Sequence, residues 1–293
     1  MKRYQDIAGD GGSNIVAQVA EQAGRVKSRM AAVRRIIAVM SGKGGVGKSS
    51  VTVNLAAALA LEGAAVGILD ADINGPSIAK MAGVRGRPLL QGDNGVVPPA
   101  AALGIKVMSM DLFLPDDQTP VLWQAPGQKD AYTWRGMMEA AALREFLADT
   151  EWGALDFLFI DLPPGSDKLP NLADLLPRLD GVVAVSIPSG VSRLVVARSI
   201  TVAVELLNAP LIGLVENMAA YVCAHCGREE EMFPPARQEN TAEELKAPLL
   251  GKIPFDPRIA RAGDEGRLFL NDHAHTPAGR AIRQIAGKVK AFL

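Results

Sequence analysis

Residues 42 to 50 read Gly42-Lys43-Gly44-Gly45-Val46-Gly47-Lys48-Ser49-Ser50. An apolar run, Ile36-Ile37-Ala38-Val39-Met40, precedes them and reads as a buried strand. Val51-Thr52-Val53-Asn54-Leu55-Ala56-Ala57-Ala58-Leu59 follows and reads as a helix. Strand, glycine-rich turn and helix in this order are the context of a phosphate-binding P-loop. The glycines remove Cβ atoms that would keep backbone N–H groups from converging on phosphate oxygens. The helix start adds unpaired donors and the positive end of its dipole. In such a loop Lys48 reaches the β- and γ-phosphates of ATP, and the Ser49 hydroxyl ligates Mg²⁺. The expected nucleotide cradle is therefore Gly42, Lys43, Gly44, Gly45, Val46, Gly47, Lys48, Ser49 and Ser50.

Outward from this loop, β-branched runs alternate with helical stretches. Ala65 to Asp70, Phe157 to Asp161, Gly181 to Ile187 and Leu211 to Asn217 read as strands; residues 191 to 207 read as a helix between the last two. Continuous apolar strands separated by helices predict an α/β fold, a doubly wound, mostly parallel sheet with helices on both faces. Residues 1–34 read as an N-terminal lead followed by a helix that Ser13 caps, and residues 35–293 as a single P-loop domain. Residues 85 to 100 read as a surface excursion, and 115 to 128 as a Pro- and Gln-bearing loop. Near the end come a charged helix at Asn240 to Lys246, a strand from Pro248, and a closing helix. That closing helix is expected to place Ile282, Ile285, Val289, Phe292 and Leu293 on one face.

Three strand tips carry chemistry. Asp70 and Asp72 stand at i and i+2 where α/β sheets build their sites; Asp70 suits the Mg²⁺ shell and Asp72 the orientation of an attacking water. Asp161 ends an apolar run and precedes Leu162-Pro163-Pro164-Gly165, the Walker B pattern of a carboxylate that holds Mg²⁺. Asp167 either joins that shell or caps the next helix. Asn217 ends its strand, where a carboxamide either reads an adenine edge or simply terminates the strand.

The chain has 293 residues, 48% hydrophobic and 22% charged, with a formal net charge of −1. That balance gives no electrostatic case for nucleic acid. The N-terminal residues lack a signal-peptide core, and Asn54, Glu62 and Gly63 break the apolar stretch at 51 to 69. A cytoplasmic chain with no membrane span is expected.

Two cysteines, Cys223 and Cys226, exclude a disulfide scaffold and stand at metal-ligand spacing. A structural zinc or an iron–sulfur cluster normally takes four ligands, so two thiols ask for a homodimer or for another group to complete a half-site. A redox pair is the rival reading. The glutamates Glu229, Glu230 and Glu231 weigh against it, since their charge is expected to raise a thiol pKa.

Lys43 is a cation the phosphates do not need, because Lys48 serves them. This Gly-Lys-Gly-Gly-x-Gly-Lys-Ser pattern resembles the deviant Walker A ATPases, the class of MinD, ParA and the nitrogenase iron protein. The resemblance implies that Lys43 crosses a dimer interface to the partner's nucleotide. Further markers are Asp70-Ala71-Asp72-Ile73 with Gly75-Pro76-Ser77, Trp134-Arg135-Gly136, Glu216-Asn217-Met218, Cys223-x-x-Cys226-Gly227 and Pro248-Leu249-Leu250-Gly251-x-Ile253-Pro254. With these the chain resembles the Mrp/ApbC family of iron–sulfur cluster carriers from about Ile36 to Phe269. The resemblance implies a homodimer with ATP and Mg²⁺ at each P-loop. It also implies a [4Fe–4S] cluster between the Cys223 and Cys226 pairs, received from an assembly scaffold and delivered to apo-proteins. By the same match Asn217 contacts adenine, Lys43, Lys48 and Asp72 serve catalysis, and Asp161 holds Mg²⁺. The segments Ser166 to Pro170 and Met232 to Pro235 depart from the family pattern. A dimer bridged by structural zinc, and a MinD/ParA-like positioning ATPase using the C-terminal helix on a membrane, are the alternatives.

Overall fold

The computed structural model describes residues 15–116, 119, 121, 131–165, 168–223, 225–226, 228–233 and 247–292. At its centre is β1 (Val33–Ser41), parallel to β6 (Leu155–Asp161) on one side and β7 (Gly181–Ser186) on the other. Beyond β6 lie β2 (Val66–Asp70) and β5 (Lys106–Met108); beyond β7 lie β8 (Leu211–Val222) and the edge strand β10 (Leu249–Phe255). Seven strands are mutually parallel in the order β10-β8-β7-β1-β6-β2-β5. Short β9 (Glu229–Glu231) runs antiparallel to the end of β8. A separate hairpin, β3 (Leu90–Gln91) with β4 (Val96–Val97), lies within the excursion expected at 85 to 100.

The apolar runs are continuous because both faces of the sheet are covered. Ile37, Val39, Phe157, Phe159, Val183 and Val215 point to one side, while Ile36, Ala38, Met40, Leu158, Ile160 and Leu214 point to the other. The first side is packed by α2 (Lys48–Leu61) and α9 (Pro277–Phe292), with short α3 (Ile78–Met81), α7 (Pro257–Asp264) and α8 (Phe269–His273) around them. On the second side lie α1 (Ile15–Ala31), α4 (Ala131–Asp149), α5 (Lys168–Leu175) and α6 (Gly190–Thr201). Helix α6 continues into a π turn over Val202–Leu206, so the single helix expected from 191 to 207 changes its winding near the end. Val26 and Met30 of α1 join the second core, beside Leu147 and Trp152.

Helix α2 is apolar nearly all round, as its burial requires. Its Ala56-Ala57-Ala58 run is buried beneath β1 and β6. Helix α9 is amphipathic, and Ile282, Ile285 and Val289 are buried against the sheet. Phe292, the last described residue, keeps the spacing of that face but is 49% exposed. Ser13, the helix expected at Asn240 to Lys246, Asp167, Leu293 and most of the 115 to 128 loop lie outside the described residues. Among the described residues no helix is long and apolar enough to cross a membrane.

Because the strands are parallel, their C-terminal ends share one edge, where the loops after β1, β2, β5, β6 and β8 open. Phe159, fully buried and stacked at 6.4 Å on Phe157, fixes β6 against α2 from below. Phe159→Ala is expected to cost about 3–5 kcal/mol, the range for emptying a buried aromatic site. Urea unfolding checks this, and a loss below about 1 kcal/mol would contradict the packing described.

Candidate nucleotide and thiol sites

The P-loop turn runs from Gly42 to Gly47 between β1 and α2. Gly45 and Gly47 sit at φ 80° and 79°, left-handed values that favour glycine. A Cβ on Gly47 would come within 2.3 Å of Asn217 Nδ2, and one on Gly42 within 2.6 Å of the α6 backbone at Val195 and Val196. The loop is thus held between β8 and α6, and neither glycine has room for a side chain. It lines a cavity of about 240 Å³ with Ser41, Lys43, Lys48, Ser49, Ser50, Asp72 and Pro164. Lys43 stands exposed on its rim.

Asp161 is the centre of the polar network. Fully buried, its Oδ2 accepts from Lys48 Nζ at 2.5 Å and Ser49 Oγ at 2.6 Å, and its Oδ1 from Thr52 Oγ1 at 2.6 Å. Thr52 was not among the residues expected at the site. It lies one helical turn after Lys48, on the same face of α2, and that spacing was the available signal.

Asp70 lies beside Asp161, its Cα partner on the neighbouring strand. Its carboxylate is turned toward its own loop. Oδ2 accepts from Ser77 N at 3.0 Å, Ile78 N at 3.1 Å and Ser109 Oγ at 3.0 Å, and Oδ1 from Asp72 N at 3.2 Å. Burial first, and then the Asp161 charge, push its pKa up to about 7, against the pull of the Ile78 and Ser77 N–H groups and Lys48. Asp72 is half-buried, accepts from Gly75 N at 3.2 Å through Oδ1, and faces the phosphate cavity.

Asn217 is buried, and its Nδ2 donates to Val46 O at 2.9 Å, tying β8 to the P-loop. It also lines a second cavity of about 230 Å³, continuous in its lining with the loop through Gly47 and Ser50. Apolar walls from Val53, Met81, Met218, Pro254, Phe255 and Ile259 enclose this cavity, with Asn54, Asp256 and Arg267 at polar positions. A mostly apolar slot with few polar groups, opening beside a phosphate cradle, suits a nucleotide's base. Of its lining residues, Gly47, Ser50 and Asn217 were expected from sequence, and the apolar walls were not.

The residues fit a nucleotide and its cation. Lys48 and the glycine turn would supply a phosphate cradle, and Ser49 and Asp161 offer hard oxygen donors side by side. Among the described residues no cluster of three or more His, Cys, Asp or Glu side chains could hold a metal by itself.

The cysteines are elsewhere on the same edge. Strand β8 passes Asn217 and ends at Val222, and β9 returns from Glu229, so Cys223 and Cys226 sit at a hairpin tip. Cys223 N donates to Arg228 O at 2.9 Å, closing the hairpin. Cys223 is half-buried and Cys226 exposed. Hydrogen bonds from the backbone N–H groups of Cys226 and His225, and from the Cys226 thiol, hold the Cys223 thiol below its usual pKa. Desolvation and Glu230 act the other way and are outweighed. The expectation that the three glutamates set the thiol pKa upward is therefore corrected for Cys223: turn N–H groups in direct contact exceed more distant charges.

A family model described as ParA, NUBPL iron-transfer P-loop NTPase, matches residues 32–290. The chain belongs to this family. It is accordingly a nucleotide-binding P-loop NTPase of the ParA group, and the MinD-like and ParA-like resemblance read from the loop holds. An "Iron-sulfur cluster carrier protein" of Saccharolobus solfataricus is 43% identical over 266 residues, covering 90% of this chain and 86% of that protein. The "Cytosolic Fe-S cluster assembly factor NUBP2" of Bos taurus is 39% identical, covering 89% and 93%. Among solved structures, a nucleotide-binding protein of Archaeoglobus fulgidus in complex with ADP aligns with a TM-score of 0.70 at 36% identity, over 84% of this chain and 92% of that one. The cell-division ATPase MinD of Pyrococcus furiosus aligns at 0.59 and 19% identity, over 89% and 100%, a likeness of fold alone.

Gly47→Ala places a methyl against the Asn217 amide at a left-handed φ. It is expected to weaken ATP binding by about tenfold or more, about 1.4 kcal/mol per tenfold. Calorimetric titration checks it; wild-type affinity would show that the turn tolerates a side chain.

Proposed function

We propose that the chain is an ATP-dependent carrier of iron–sulfur clusters, working as a homodimer that accepts a [4Fe–4S] cluster from an assembly scaffold and hands it to apo-proteins. The single observation that carries this reading is one strand, β8, bearing Asn217 against the P-loop and an accessible cysteine pair at its end. The names of the relatives, an iron–sulfur cluster carrier and a cluster assembly factor, support the same reading. A low thiol pKa at Cys223 favours the thiolate, the form that ligates iron or zinc.

In this reading Gly42 to Ser50 cradle the ATP phosphates and Asn217 bounds the base. Lys48, which in the free chain neutralises Asp161, turns its charge to the phosphates. Asp161 and Ser49 would hold Mg²⁺, which would supply positive charge against the phosphate oxygens as the γ-phosphoryl is transferred. Asp70 braces the loop bearing Asp72 and stands next to this cation. Asp72, facing the phosphate cavity, orients the water that attacks. Lys43 has an exposed position from which to reach a second copy's nucleotide. The two thiols of each chain make four across a two-fold axis, the ligand number that a [4Fe–4S] cluster requires. The cluster is cargo, so a tip on which one thiol is exposed and one half-buried suits both holding and release. The residues 35–293 act as one domain in this scheme.

The helix that would serve a membrane-positioning ATPase has its apolar face buried on the sheet, with Ile282, Ile285 and Val289 in the core. That leaves structural zinc as the competing occupant of the cysteine pair. Anaerobic reconstitution with iron and sulfide is expected to load about four irons per dimer with a sulfide-to-iron charge-transfer absorbance. Cys223→Ser and Cys226→Ser should each abolish it. Loading that survives both substitutions, or tight zinc with no iron in protein purified without oxygen, would overturn the carrier reading.

Lys43→Gln tests the interface separately. It is expected to leave ATP affinity within about threefold, since Lys48 alone serves the chain's own phosphates, while lowering ATP turnover about tenfold or more. Sedimentation should report a loss of the ATP-dependent dimer. An unchanged dimer with unchanged turnover would remove Lys43 from the mechanism.

A further inference from the structure

Strand β8 is broken one residue after Asn217. Met218 has φ 52°, the left-handed region that a bulky side chain rarely occupies. At the same place the pairing with β10 slips: Asn217 is opposite Ile253 and Tyr221 opposite Phe255, so Met218, Ala219 and Ala220 face Pro254 alone. A proline offers no N–H to the ladder, and so the bulge falls where pairing is already interrupted. Beyond it the strand is straight again and is gripped from both sides. Ala220, Tyr221 and Val222 pair with Glu231, Glu230 and Glu229, and Cys223 N bonds Arg228 O.

Met218 also touches the nucleotide site. A Cβ on Gly47 would lie 3.3 Å from Met218 Cε, just behind the Asn217 amide, and the Met218 side chain forms part of the wall of the base cavity. One strained residue therefore has its side chain against the P-loop and its backbone at the only irregularity in β8 between Asn217 and the cysteines. Strain of this kind persists only where the surroundings impose it, and such residues cluster at active sites, ligand clamps and switch regions.

We propose that Met218 is a positioning residue: nucleotide bound against Gly47 and in the base cavity displaces its side chain, and the bulge passes the shift to the hairpin that presents Cys223 and Cys226. This rests on ATP occupying the P-loop, as read above, and not on what the cysteines carry. A base entering the cavity meets two adaptable thioethers, Met81 and Met218, and of these Met218 is the one on β8. The bulge converts that side-chain movement into a backbone change, because residues 220 to 223 are locked to β9 and move with it as a unit.

The test is amide hydrogen exchange of residues 219–223 and 228–231 in the full chain without cluster. It is read without nucleotide and at saturating Mg-ADP or a non-hydrolysable ATP analogue, with saturation fixed by titration for each variant. In the wild type the exchange rate of these amides is expected to change about fivefold or more on nucleotide binding, a usual size for coupled sites. In Met218→Gly, which relieves the left-handed φ and removes the side chain, the change is expected to fall below about twofold. Met218→Leu should preserve it. Exchange that does not respond to bound nucleotide in the wild type, or a response retained in Met218→Gly, overturns the proposal. If Met218→Gly cannot be saturated, Met218→Ala, which lacks the methyl against Gly47, decides by the same two readings. A wild-type chain that binds no nucleotide defeats the ATP reading itself, and this inference with it.

Discussion

A carboxylate with no access to water sets the terms for the rest of this molecule. Asp161 is at the end of a strand in the middle of the sheet, and an unpaired charge there would cost several kcal/mol. Three donors from the first turn and a half of α2 compensate it: Lys48, Ser49 and Thr52. Their spacing leaves α2 one way to dock, with its N-terminus over the tip of β6. The glycine turn must then close the short distance from β1 to that N-terminus, and it does so with left-handed Gly45 and Gly47, while Gly47 packs on β8 and Gly42 on α6. The phosphate cradle is in this sense a consequence of where a buried acid finds its partners.

A second acid one strand away sharpens the constraint. Asp70 and Asp161 are register partners, and two carboxylates so close cannot both ionise freely without a cation. Among the described residues the buried ammonium near this pair is that of Lys48, and it is bonded to Asp161. Asp70 instead takes hydrogen bonds from the loop that follows it, and its proton affinity rises to about 7. A divalent cation entering beside Asp161 adds the charge that this pair lacks. The arrangement thus favours occupation of the site by a nucleotide with its metal over occupation by a nucleotide alone.

Much of this was legible in the residues. Continuous Val, Ile and Leu runs fixed a sheet buried on both faces, and glycine spacing with a lysine fixed the loop. Asp161 was legible because an acid ending an apolar run is conspicuous. Thr52 was less so: its spacing of one helical turn from Lys48 was a signal, but it is shared by many helical residues that bond no carboxylate. The base cavity was illegible for another reason: Met81, Met218, Phe255 and Arg267 come from four separate parts of the chain, and only the strand order brings them together. The thiol environment was misread because charges are visible in a sequence and turn N–H groups are not. Phe292 was placed on the apolar face of the closing helix by periodicity, which cannot say how much of that face is covered.

The remaining step concerns how two sites on one edge can influence each other. Five residues separate Asn217 from Cys223, at most about 20 Å of chain. They are joined by a covalent strand rather than by packed side chains, so a shift at one end has few places to dissipate. A perfectly regular strand would nevertheless transmit little, because its ladder resists any change of register. The left-handed residue at Met218 removes that resistance at one point. Holding such a conformation costs on the order of 1–3 kcal/mol, and coupling between distinct sites is typically of the same 1–3 kcal/mol order. A base pressing on the Met218 wall therefore has to supply no more than the strain already stored there. Asn217 anchors the near end to the P-loop and the β9 ladder anchors the far end, so the irregularity between them is where a nucleotide's binding energy can reach the thiols.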